Sequence, residues 1–164
     1  MATATYIPIA TQTLGSAASS ITFSSIPGTY TDLRLVLTCT ASAAYTVTLR
    51  FNSDSGSNYS VTTLIGSGSA ASSANQTSQT QMYGLGYVSG VSTTVPSMAT
   101  YDIFSYAGAT YKTVLMNGAT DFNGSGDVEN IVGLWRSTSA ITSISIQLTS
   151  GNLSTGTIAT LFGI

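Results

Sequence analysis

Leu33, Leu35, Leu37 and Cys39 fall on one side of an extended chain, with Arg34, Val36 and Thr38 on the other. The same period of two recurs. Val47, Leu49 and Phe51 alternate with Thr46, Thr48 and Arg50, and Ile144, Ile146 and Leu148 alternate with Ser143, Ser145, Gln147 and Thr149. A period of two puts apolar side chains on one face of a pleated strand. No 3.6-residue stripe competes with it. Ala is scattered among Ser, Thr and Gly, and Leu, Glu, Lys and Arg, which build helices, are few. Thr suits a sheet because its branched Cβ fits the pleat. The chain is therefore expected to be all-β.

Further strands are expected over 20–24, 59–65, 79–88, 99–106, 112–117, 130–137 and 157–162. Turn residues separate them: Pro27-Gly28, Asp54-Ser-Gly56, Gly66-Ser-Gly68, Gly108, Asn123-Gly124 and Gly151-Asn152. This rhythm fits an antiparallel β-sandwich, and eight or more strands fit a jelly-roll-like one. The 164 residues suit one domain, 1–164, with residues 1–18 read as an extended N-terminal arm. Ser67–Ser78 reads as an exposed loop.

Charge is the next constraint. Charged residues are 6% of the chain and the formal net charge is −2, against about 25% charged in an ordinary domain. Copies of a soluble monomer usually repel one another by charge, and sheet edges are usually guarded by it. Neither defence is available here. Much of the surface is therefore expected to lie against copies of the chain or a larger assembly. Arg34, Arg50, Lys112 and Arg136 stand singly, so the cationic face that nucleic acid requires is missing. No window approaches the about 18 apolar residues of a membrane span, and the N-terminus lacks the basic start and apolar run of a signal peptide.

Chemistry has little to work with. The chain has no His, which removes Ser-His-Asp triads, Cys-His dyads and imidazole metal sites. Lys112, the one lysine, has no Ser-x-x-Lys spacing leading to it. Gly84-Leu-Gly86 is too short for a dinucleotide fingerprint. Cys39 is alone, so no internal disulfide forms, and its apolar neighbours predict a buried thiol acting as a small hydrophobe. Asp127 and Glu129 share one side of a strand and could form a glycosidase pair, but solvated loop acids are the favoured reading. No catalytic residue and no resident cofactor is expected, and the chain is read as a non-enzyme.

Two features carry binding readings. Asp121, Asn123, Ser125, Asp127 and Glu129 place oxygens at alternate positions with Gly126 sixth, like the start of a calcium loop. The twelfth position is Val132 rather than a bidentate Glu, and no helices flank it. A polar β-turn is therefore favoured, with calcium the lesser reading. Tyr83, Tyr87, Tyr101, Tyr106 and Tyr111 cluster mid-chain, and tyrosine anchors interfaces or stacks on sugars. Core or interface packing is the default for them, and glycan binding the lesser reading.

The segment Ile21-Thr-Phe-Ser-Ser-Ile-Pro-Gly-Thr-Tyr-Thr-Asp-Leu-Arg-Leu-Val-Leu37 resembles one found in small structural proteins of tailed bacteriophages, cyanophages included. So do Leu49-Arg-Phe-Asn-Ser-Asp54 followed by Asn58-Tyr-Ser60, Trp135-Arg-Ser-Thr-Ser-Ala-Ile-Thr-Ser-Ile144, and the ending Thr157-Ile-Ala-Thr-Leu-Phe-Gly-Ile164. The resemblance implies a jelly-roll-like virion protein. The leading expectation is a head decoration or cement protein, a homotrimer bound to the major capsid protein on the outer surface of the head. The alternative is a receptor- or carbohydrate-binding domain of a tail fibre, spike or baseplate.

Overall fold

The computed structural model describes residues 5–164. Among them there is no helix, and the chain runs through strands β1 (Ile7–Thr13), β2 (Ser20–Phe23), β3 (Leu33–Cys39), β4 (Val47–Phe51), β5 (Tyr59–Gly66), β6 (Ala71–Gln79), β7 (Met82–Tyr83), β8 (Ser97–Phe104), β9 (Lys112–Asp121), β10 (Gly126–Trp135), β11 (Ile144–Leu148) and β12 (Ile158–Gly163). They form two antiparallel sheets. The larger has the order β1-β12-β3-β8-β9-β10-β5-β6 and the smaller β2-β11-β4-β7. The expected antiparallel sandwich of eight or more strands is borne out, its strands divided eight and four.

The alternation explains the layering. Leu33, Leu35 and Leu37 of β3 and Ile144 and Ile146 of β11 are all fully buried and belong to one hydrophobic core. Aromatic side chains fill that core at one end, where Phe51, Tyr59 and Trp135 pack with ring centroids 5.5–6.3 Å apart. Cys39 is buried in the same core, and desolvation pushes its thiol up to about 12, consistent with an inert, hydrophobe-like side chain.

Three expectations are corrected. Residues 7–13, assigned to an extended arm, pair along β12 and form one edge of the large sheet; residues 1–4 lie outside the described residues. The expected loop Ser67–Ser78 contains all of β6 but its last residue, and β6 pairs with β5 from Gly66↔Ala71 to Tyr59↔Gln79. Both faces of β6 are largely exposed, so no core pattern marks it as a strand. Conversely, only Met82–Tyr83 of the expected strand 79–88 pairs with β4, because the chain then bends through Gly84, Gly86 and Gly90. Gly86 and Gly90 have positive φ values of 76° and 72°, a conformation that L side chains avoid.

Candidate functional site

The hairpin joining β9 to β10 carries the calcium-like motif. Its turn places Asn123, Gly124 and Gly126 at φ of 62°, 113° and 137°. Asp121, Asn123 and Ser125 are exposed, and Asp121 Oδ1 accepts the Asn123 N–H at 2.7 Å. Asp127 and Glu129 instead lie in phase with Ile131 and Trp135 and point inward, only 8% and 2% exposed. The five oxygens are thus divided between two sides of the hairpin and do not converge on one point. Burial of Asp127 and Glu129 overturns their reading as solvated loop acids.

Their inward carboxylates hold the segment after β7. Glu129 accepts the N–H groups of Gly86 and Tyr87, each at 2.9 Å. Asp127 Oδ2 accepts the Ser89 hydroxyl. Burial pushes the Glu129 carboxyl above the usual carboxylate range, while the two amides pull it back. The acids are consumed in fixing this loop against the sheet, with Leu85 N–H donating to the Tyr101 hydroxyl at 3.3 Å.

The five tyrosines do not form one patch. Tyr101 and Tyr106 are buried in the core at 1% and 0% exposure, so they cannot stack on a ligand. The Tyr106 hydroxyl donates to the Pro27 carbonyl and accepts the Tyr30 N–H. Tyr83 and Tyr87 are half-buried and packed edge to face, and Tyr87 accepts from Gln76 Nε2 at 2.9 Å. Of the five, Tyr111 alone is exposed, at 55%.

Residues of the segments 21–37, 49–60, 135–144 and 157–164 meet at two corners. At one, Trp135 Nε1 and Asn58 Nδ2 donate to Asp54 Oδ2, and the Tyr59 hydroxyl accepts the Phe51 N–H at 3.1 Å. Asn52 Oδ1 accepts the Thr142 and Ser143 amides, and Asn52 Nδ2 donates to the Ala140 carbonyl. At the other corner, the Thr31 and Asp32 amides donate to the Ile164 carbonyl while the Ile164 N–H returns to Asp32 O. These contacts close the two corners of the sandwich.

What sequence reasoning missed is the outer face of the large sheet. One row across it runs Ile158, Thr38, Met98, Ala119, Val128. A second runs Phe162, Arg34, Asp102, Leu115, Val132. Met98, Val128 and Leu64 are exposed by 60%, 67% and 59%. Between these rows lie Thr100, Asn117 and Asn130, with Asn130 Nδ2 donating to Asn117 Oδ1 at 2.7 Å. The charges here are Asp121 at one corner and a bidentate pair, with Arg34 Nε and Nη2 donating to Asp102 Oδ1 and Oδ2 at 2.5 and 2.7 Å. Asp102 raises the Arg34 pKa further above its ordinary value against the opposing effect of desolvation. Arg34 also donates to the Tyr6 hydroxyl and lies 5.1 Å from its ring centre. The signal was present in β10, where Val128, Val132 and Leu134 alternate out of phase with the core.

The outer face of the small sheet differs. It carries Ser20, Thr22, Ser145, Gln147 and Arg50, knit by hydroxyl and amide bonds such as Thr22 Oγ1 to Ser145 Oγ at 3.2 Å. The other cations are tied down too. Arg50 donates to Thr80 O, Lys112 to Gly108 and Thr110 carbonyls, and Arg136 to Ser57 O. The outer face of the large sheet is therefore largely neutral and partly apolar. Comparison with family models, with curated proteins and with solved structures finds no match.

Proposed function

We propose that this chain is a virion structural protein of a tailed phage that decorates the outside of the head and stabilises it, seated by the outer face of its large sheet. The proposal includes the jelly-roll kinship implied by the phage-like segments. The observation that supports it is that neutral face. Seven inter-strand steps of about 4.8 Å and three side-chain rows about 7 Å apart make a platform of about 500 Å². That is more than half of the about 800 Å² that each partner contributes to a stable interface. Its exposed aliphatic side chains gain by leaving water, and its main charges already neutralise each other. The partner would be the major capsid protein. Binding the assembled shell and not its dispersed subunits stabilises the shell by mass action.

Attachment through such a face depends weakly on salt, because few free charges are screened. Purified chain added to particles stripped of it should rebind equally in low and moderate NaCl, and Val128→Glu with Met98→Glu should abolish rebinding. Hundreds of copies per particle by gel densitometry are expected. Shedding in moderate NaCl, or rebinding unaffected by the two substitutions, would overturn the proposal. The tail receptor-binding reading keeps one supporting observation, the exposed Tyr111 ring. A few copies per particle, with glycan-array binding lost in Tyr111→Ala, would replace the head reading with it.

A further inference from the structure

A sandwich of two open sheets has four edges, and three of them are blunted here. β1 carries Pro8, which lacks an N–H, and a register shift between Pro8 and Ala10. β2 and β7, the edges of the small sheet, have four and two residues. Short strands, proline and bulges are the devices by which natural sheets avoid pairing with other chains. β6 has none of them over Ala71–Gln76. It is nine residues long, contains no proline, and its ladder with β5 is regular from Gly66↔Ala71 to Val61↔Gln76, the irregularity falling after it. Charge does not guard it either, since no Asp, Glu, Lys or Arg occurs between Asp54 and Asp102.

We infer that β6 is a self-association edge, pairing antiparallel with β6 of a second copy about a two-fold axis and joining two large sheets into one. The occupant follows from the edge itself. A two-fold contact presents the same surface twice, so one open edge satisfies the unpaired backbone groups of both copies. Ala71, Ser72, Ser73 and Ala74 are small and exposed, so two such strands approach to ladder distance without a clash. Their neutrality removes the like-charge repulsion that would bar a strand from meeting itself. The outer platform of each copy then continues into that of the other. The contact is small, so the pairing is weak and concentration-dependent. It forms a dimer in place of the trimer that the phage resemblance implies, and it does not rest on the decoration proposal.

Sedimentation equilibrium of the purified full chain up to millimolar concentration should show a monomer–dimer equilibrium. Hydrogen exchange should show amides within 71–76 gaining protection as concentration rises. Ser73→Lys with Asn75→Lys should weaken dimerisation by about tenfold or more, since like charges then face each other across the strands. Ser73→Glu with Asn75→Glu should do the same, and mixing the two variants should restore pairing. Thr22→Lys, equally exposed on the small sheet, should leave it unchanged. A monomer at every concentration, a trimer, or a dimer indifferent to both charge variants would overturn the inference. So would protection of β6 amides only on the assembled particle, which would assign the edge to a partner strand. A monomer that still rebinds particles through Val128 and Met98 would remove this inference alone and leave the decoration proposal standing.

Discussion

The indole N–H of Trp135 donates to Asp54 Oδ2 at 2.7 Å, joining residues 81 positions apart. Trp135 is 2% exposed, so its N–H has no ready substitute for this acceptor. Asp54 also accepts from Asn58 Nδ2 at 2.9 Å and from Gly56 N–H at 2.8 Å. The contact locks the turn after β4 onto the end of β10.

Asp54→Ala should therefore cost about 1–3 kcal/mol, the usual penalty for orphaning a buried donor. Burial alone would raise the Asp54 carboxyl, but the three donors outweigh it and hold it below 3.8. A depressed carboxylate pKa contributes stability above the unfolded value, and that contribution is lost as pH falls through the folded one. The chain has a single Trp, so denaturant titration followed by its fluorescence reads this corner directly. Below pH about 4 the gap between wild type and Asp54→Ala should shrink.

At the opposite corner, Gly163 lies against the ring of Tyr30. A Cβ added at residue 163 would sit 2.3 Å from Tyr30 Cγ, inside any tolerable contact. Gly163→Ala should cost about 1–3 kcal/mol by overpacking. Tyr30→Ala opens that space, so the double variant should lose less than the sum of the two singles in thermal melts. Strict additivity would mean that the ring is not what excludes the methyl.

These two corners show what was legible and what was not. β3, β4, β11 and β12 could be read because one face meets the core and the other carries Thr, Ser or Arg, which imposes the alternation. β1 and β6 could not, because β6 is exposed on both faces and β1, of its apolar residues, buries only Ile9 and Ala10 in part, so neither edge strand feels such a demand. β6 is extended only because β5 offers it a ladder. The apolar run 79–88 suggested a strand, yet the Gly86 and Tyr87 amides turn towards Glu129. Asp127 and Glu129 share the phase of Ile131 and Trp135, which was the available sign of burial. The tyrosine count hid two core residues, since composition does not reveal that Leu85 and Pro27 supply partners for Tyr101 and Tyr106.

Glu129→Gln tests whether the buried Glu129 side chain holds the loop. Gln turns an NH2 group with no available lone pair towards the second N–H, whereas a carboxyl, ionised or protonated, still offers it an oxygen, so either Gly86 or Tyr87 loses its partner. A loss of about 1–3 kcal/mol is expected, with faster hydrogen exchange at those two amides. Burial raises the Glu129 pKa above 4.5. The folded state then binds this proton more tightly than the unfolded state does, so the contribution is full below the unfolded value and falls as pH rises through the folded one. The stability advantage of wild type over Glu129→Gln should accordingly narrow as pH rises past about 4.5. An advantage that widens over that range would contradict the raised pKa.

Lys112 is the only lysine of the chain and is fully buried. Its Nζ donates to the carbonyls of Gly108 at 2.7 Å, Thr110, and Ser137 at 3.5 Å. Desolvation lowers its pKa, which would favour the reactive neutral amine, but burial closes the path to any reagent. Geometry should win, because a reagent must reach Nζ before the protonation state matters. An amine-directed ester should leave Lys112 unmodified in the native protein and modify it in denaturant, as peptide mass mapping would show. Lys112→Met should cost about 2–3 kcal/mol, since it strips the donor from buried carbonyls. Labelling of the native chain at the denatured rate would mean that the loop between β8 and β9 opens freely. If the site stays closed, amine cross-linkers cannot tether this residue to another molecule, and any contact must be mapped through the tyrosines and carboxylates of the exposed faces.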